Sequence, residues 1–192
     1  MKQILLINGH PNKNSFNHAL GEAYKRGGQK TNAKLSQINI AELNFNPNLK
    51  YGYQQRMELE PDLRTAIDMI QNAEHIVWIF PMWWYGYPAI MKGFVDRTFL
   101  PGITFEQLKG NSLPKKLLRG KTARIIVTSD SPRWYDFLFM KSPVINQFKK
   151  GTLNFCGIKP VKVTYIAPIK NSTFKFRQKW LDKIALLGEN QQ

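Results

Sequence analysis

Residues Ile76-Val77-Trp78-Ile79-Phe80 form an unbroken apolar run of strand length. Without inside–outside alternation, such a run suits a strand buried on both faces of a parallel sheet. Four further strand patterns, at residues 3–8, 33–39, 122–128 and 161–167, alternate with helix patterns, which is the signature of βαβ units. The fold class predicted is α/β, with a five-stranded parallel sheet of order 2-1-3-4-5. Among the helices, Ser15 reads as an N-cap ahead of a face made by Ala19, Leu20, Ala23 and Tyr24, and Gly27-Gly28 read as its stop. Pro61 suits the first position of a helix reaching about Ala73, and after Pro88 the residues Ile90, Met91, Phe94, Val95 and Thr98 share one helical face. Further helix patterns cover much of 142–155 and run from Thr173 to Leu187.

No repeat, low-complexity segment or linker divides the 192 residues, so one domain spanning 1–192 is expected. The connections at 40–60 and 100–120 are long for this class, a sign of lids or interface arms. Cys156 has no second cysteine to pair with and reads as a small apolar residue packed behind Phe155. The start, MKQILLINGHP, reads as a strand rather than a signal peptide, and no apolar run approaches the roughly 20 residues of a membrane span, so a soluble, cytoplasmic protein is expected. Formal net charge is +15, and residues 97–192 carry 18 Lys and Arg against 5 Asp and Glu. That field favours anionic partners, among them a phosphorylated cofactor, an acidic protein or anionic lipid, or it is simply a solvated face. None of the nucleic-acid signatures occurs, and no nucleic-acid partner is expected. The three histidines have no ligand-pair spacing, and no paired-carboxylate or Ser/His/Asp arrangement is apparent, so neither a metal site nor a dedicated catalytic side chain is predicted. His18 and His75 read as structural or exposed, and Trp78 as core.

Ligand-capable residues cluster where strands end. Beyond the strand at 75–80 come Pro81, Met82, Trp83, Trp84, Tyr85, Gly86, Tyr87 and Pro88, a set suited to a flat, mostly apolar ligand. The turn after the strand at 3–8 runs from Asn8 to Asn17 and leads into a helix N-terminus, where free amides and the dipole favour a phosphate. Ser15 and Asn17 add donors there, and His10 and Lys13 add charge. The strand at 122–128 ends in Thr128-Ser129-Asp130-Ser131-Pro132. In a 2-1-3-4-5 sheet these three edges are neighbours and converge on one crevice.

Taken together, His10-Pro11 with Ser15-Phe16-Asn17, Phe45-Asn46-Pro47, Phe80-Pro81 with Trp84 to Ile90, Lys92-Gly93 and Leu153-Asn154-Phe155-Cys156-Gly157 resemble the flavodoxin-like NAD(P)H:quinone oxidoreductases over most of the chain. The resemblance implies a flavodoxin-like three-layer α/β/α fold and a bound flavin, FMN or FAD. It implies that His10, Ser15, Phe16 and Asn17 bind the phosphate and adjacent groups, that Pro81, Met82, Trp83, Trp84 and Tyr85 hold the ring system, and that Thr128 lies at the polar ring edge with Ser129 and Asp130. The chain departs from the family after Thr128, where glycines are common and Ser129-Asp130 stand here. Tyr135 is the candidate for the family's substrate-side tyrosine, with a packing role as its alternative.

The activity so implied is two-electron transfer from NAD(P)H through the flavin to a quinone or similar aromatic acceptor, in a homodimer whose interface borders the flavin. The alternative is a regulatory flavoprotein, such as the ancillary subunit of a glutathione-gated potassium efflux system, with peripheral membrane contact through the basic face.

Overall fold

A computed structural model describes residues 1–108, 110 and 113–192 of the chain. In chain order its elements are β1 (Gln3–Asn8), α1 (Phe16–Gly28), β2 (Lys34–Asn39), α2 (Pro61–Asn72), β3 (His75–Pro81), α3 (Ala89–Thr98), the short strands β4 (Phe105–Glu106) and β5 (Lys115–Lys116), β6 (Thr122–Thr128), α4 (Arg133–Leu138), α5 (Pro143–Asn146), β7 (Val161–Ile166) and α6 (Phe174–Glu189). The main sheet is parallel throughout, in the order β2-β1-β3-β6-β7. This is the predicted 2-1-3-4-5 arrangement, with strand ends within a residue of those expected. Part of the long connection at 100–120 pairs as the antiparallel β4 and β5, and residues 109, 111 and 112 lie outside the described set.

All seven residues of β3 are buried, as an unalternating central strand requires. Trp78 is fully buried, and its ring meets Phe148 edge-on at 4.9 Å and Phe94 at 6.3 Å in the core on one side of the sheet. Val77 and Ile79 point to the opposite core, with Leu20, Tyr24 and Ile184. The register sets Pro81 of β3 level with Thr128 of β6, so the loops that follow leave the sheet side by side.

Two helices differ from expectation. Gly27 and Gly28 lie inside the last turn of α1 rather than beyond it. A Cβ on Gly27 would stand 1.8 Å from the Ala185 carbonyl oxygen, and one on Gly188 would stand 2.0 Å from that of Tyr24. These glycines therefore let α1 and α6 touch backbone to backbone. The segment expected as one helix over 142–155 divides into α5 and a π-helical stretch, Gln147–Asn154.

A buried guanidinium ties down the 44–60 connection. Arg97 is 1% exposed and donates to the carbonyls of Asn46 (2.6 Å) and Glu58 (2.8 Å) and to Glu60 Oε2 (2.7 Å). Partial burial pushes the Glu60 carboxyl up, but amide donors and Arg97 outweigh it and leave it below its ordinary value. Pro47 in turn sits where a Cβ on Gly93 would be, 2.4 Å from its own Cβ. The Asn46-Pro47 and Lys92-Gly93 motifs are thus two sides of one packing contact.

Candidate functional site

The turn between β1 and α1 holds itself open through side-chain caps. Asn8 Oδ1 accepts from the His10 amide at 3.0 Å, and His10 Nδ1 accepts from the Asn12 amide at 2.9 Å. The neutral imidazole therefore carries its proton on Nε2. Burial, helped by nearby His18, pushes its pKa down and keeps the ring neutral. Ser15 caps α1 as expected, its Oγ accepting from the His18 amide at 3.3 Å. The Phe16 and Asn17 amides, in the first turn, have no hydrogen-bond partner among the described residues.

Beyond β3, the Met82 amide donates to the Thr128 carbonyl at 2.7 Å and pins the two edges together. Trp83 and Gly86 then exchange both backbone bonds, at 2.9 and 2.8 Å, around a two-residue turn. Trp84 and Tyr85 at its tip have φ of 49° and 57°, the left-handed pair of a type I′ turn. Bulky residues in that region cost roughly 1–2 kcal/mol each, and such strain concentrates at functional positions. The Trp83 ring meets His10 edge-on at 5.6 Å, joining this loop to the first turn.

After β6, Thr128 Oγ1 donates to Asn17 Oδ1 at 3.0 Å, and both residues are buried. Asn17 Nδ2 is buried with no partner among the described residues. Ser129 Oγ accepts from the Ser131 amide, and Asp130 Oδ1 accepts from the Lys170 amide at 2.5 Å. None of residues 128–132 has positive φ. This loop is held by its own side chains and by the loop after β7, whose Ile169 amide donates to the Ser129 carbonyl.

A single open crevice of about 340 Å³ gathers His10, Asn12, Ser15, Phe16, Asn17, Pro81, Met82, Trp83, Thr128, Ser129 and Asp130, with Ile169 and Arg177. Ten of the thirteen predicted site residues line it. Trp84 does not, being 101% exposed at the turn tip. Tyr85 is half-buried, with its hydroxyl 3.2 Å from Ser131 Oγ. Tyr135 also lies outside the lining, stacked on Phe139 at 5.4 Å in α4 and the residue after it. Asn12, Ile169 and Arg177 line the crevice without having been named as site residues, and Arg177 is the charged one among them. Its guanidinium lies 5.6 Å from the centre of the Phe16 ring, with Nε donating to Ser172 Oγ at 2.8 Å. The available signal was a basic residue in the first turn after the last strand, at the same carboxyl edge as the other loops.

A three-layer α/β sheet with its crevice at the carboxyl edge of the central strands defines a nucleotide- or cofactor-binding class of protein. The family model described as flavodoxin-like fold matches residues 2–185, and the chain belongs to that family. An NAD(P)H oxidoreductase of Haemophilus influenzae, itself uncharacterized, is 28% identical over 94% of this chain and 91% of its own length. The NAD(P)H dehydrogenase (quinone) 1 of Cavia porcellus is 25% identical over 83% of this chain and 66% of its own. Among solved structures, Smu.1420 from Streptococcus mutans UA159 superposes with a TM-score of 0.84 at 30% identity, over 98% of this chain and 99% of its own.

Proposed function

We propose that the crevice binds a flavin, FMN or FAD, and that the protein is an NAD(P)H:quinone oxidoreductase, acting on a quinone or a related aromatic acceptor. The observation that carries this reading is the convergence, in one crevice, of an anion-binding end and a flat apolar wall. The two sequence relatives, whose names are an NAD(P)H oxidoreductase and an NAD(P)H dehydrogenase (quinone), support the same class.

The donor set fits the group. The free amides of Phe16 and Asn17, the Ser15 hydroxyl, His10 Nε2 and the Arg177 guanidinium would hold the phosphate, and the α1 dipole adds to them. Pro81, Met82 and Trp83 would face the ring system, and the buried Asn17 amide group beside Thr128 would serve a polar edge. Bound there, a flavin would supply the two-electron redox chemistry between NAD(P)H and the acceptor. The chain's own residues bind, orient and exclude water. A neutral His10 suits donation from Nε2 to phosphate without consuming a proton. A cytoplasmic setting belongs to the same reading. One domain over residues 1–192 and a homodimer complete the reading, and sedimentation equilibrium tests the latter.

Titration of the purified chain with FMN and with FAD, followed by flavin absorbance and fluorescence, tests it. Micromolar or tighter binding is expected, and loss of the charge-assisted contact in Arg177→Ala raises the dissociation constant about tenfold or more with the far-UV spectrum unchanged. Absence of flavin binding sinks the reading. Steady-state assays with NADH and NADPH against quinones, azo dyes and nitroaromatics then rank the acceptors.

A further inference from the structure

Among the described residues two guanidinium groups are buried, and the fold treats them differently. Arg97, 1% exposed, donates to two carbonyls and to the Glu60 carboxylate. Arg124, 6% exposed, makes one hydrogen bond, to the neutral Thr164 Oγ1 at 2.8 Å, and its Nε is buried with no partner among the described residues. No carboxylate among those residues forms an ion pair with it. A buried cation is costly unless a counter-charge and further hydrogen bonds compensate it.

Strand register gathers more polar groups on the same face. Arg124 lies level with Val77 and Lys162, and His75 level with Thr122, so these side chains point with Val77 toward α1 and α6. Tyr24 of α1 covers that face, fully buried, and its hydroxyl and His75 Nε2 also lack partners among the described residues. None of these groups can neutralise Arg124. Burial pushes the Tyr24 hydroxyl up and keeps it protonated, while burial, Lys2 and Arg124 itself keep His75 neutral. At this amino edge of the sheet Glu74 accepts from the Gln3 amide at 2.8 Å, and Glu189 pairs with Lys30 at 3.2 Å. Lys2 and Lys162 add positive charge, donating to the Gln191 carbonyl at 2.7 Å and to Gln192 Oε1 at 3.4 Å.

We propose that Arg124 and the Tyr24 hydroxyl, with His75 and Thr164 beside them, bind a compact monovalent anion of chloride's size between the sheet and α1. The ion supplies the missing counter-charge and accepts from Arg124 Nε and the Tyr24 hydroxyl. A water molecule would satisfy those donors but leave the charge, and the field of Lys2 and Lys162 favours the anion further. The occupant is compact because α1 and α6 close backbone to backbone at Tyr24, where a Cβ on Gly188 would stand 2.0 Å from the Tyr24 carbonyl oxygen. The site lies at the edge of the sheet opposite the crevice and is independent of the flavin reading.

Thermal unfolding of the purified full chain, with sodium chloride or bromide replacing sodium gluconate at constant ionic strength, reads occupancy as a rise in melting temperature. A rise of about 5 °C is expected at a hundredfold excess over the dissociation constant. Arg177→Ala, altered at the crevice, should show the same rise. Arg124→Met removes the charge and keeps an apolar stem, so it should melt no lower than the wild type in gluconate and gain less than about 1 °C from either halide. Crystals grown in bromide supply a second measurement, in which an anomalous peak beside Arg124 Nε is expected. Equal halide responses in the wild type and Arg124→Met, a response to phosphate with none to halides, or ordered water in place of bromide overturns the proposal.

Discussion

At the residue scale, polarity and burial meet most sharply at His75. Its ring is 4% exposed, with Nδ1 2.6 Å from Thr122 Oγ1, and burial, aided by Lys2 and Arg124, pushes its pKa from 6.5 to about 4. Below pH 6.5 the unfolded chain takes up a proton that the folded chain refuses until pH nears 4. The folded state therefore loses stability as pH falls through that window, by about 3 kcal/mol at most, and this group contributes nothing above it. Urea unfolding from neutral pH to pH 4 should give a shallower decline in His75→Gln than in the wild type, and equal declines reject the assignment. The residue letters alone placed His75 no better than structural or exposed, because burial depends on neighbours distant in sequence. Arg177 was silent for the same reason: its role comes from Phe16 and Ile169, which the fold brings to it.

At the scale of elements, local signals were legible where local chemistry sets the outcome. Ser15 and Thr173 cap α1 and α6 through bonds to amides three residues on, as a hydroxyl before a helix should. The pair Gly27-Gly28 misled, since one letter serves both to end a helix and to let another backbone approach. Only the position of α6 distinguishes these uses. Adding a methyl group in Gly188→Ala should force the helices apart, because the Tyr24 carbonyl 2.0 Å away cannot yield as a side chain would. A loss of about 3 kcal/mol or more is expected in urea denaturation. A loss below about 1 kcal/mol would show that α1 and α6 are not packed this closely.

At the scale of the molecule, the charge of +15 creates a field that acts on phosphate-bearing reductants before contact. For NADPH, kcat/KM should fall several-fold between ~10 mM and ~500 mM salt, as the screening length shrinks from ~30 Å to a few Å, while the dependence on an uncharged quinone stays nearly flat. A flat NADPH profile would place the excess charge away from the approach to the crevice.

Hydrophobic periodicity determined the class and the strand positions, because a buried parallel strand and an amphipathic helix each leave a pattern in consecutive residues, whereas the order of the sheet came with the resemblance of its loop motifs to the flavodoxin-like family. Ten of the crevice residues were named through that resemblance, and they meet because loops at the carboxyl edge of neighbouring strands converge on one side. What tertiary structure decided is which side chains face inward. Trp83 turns to His10 while Trp84 projects into solvent from an adjacent position, and Ser129 and Asp130 secure their own loop. Such choices follow from dihedral angles and long-range hydrogen bonds, which no local pattern of residues encodes.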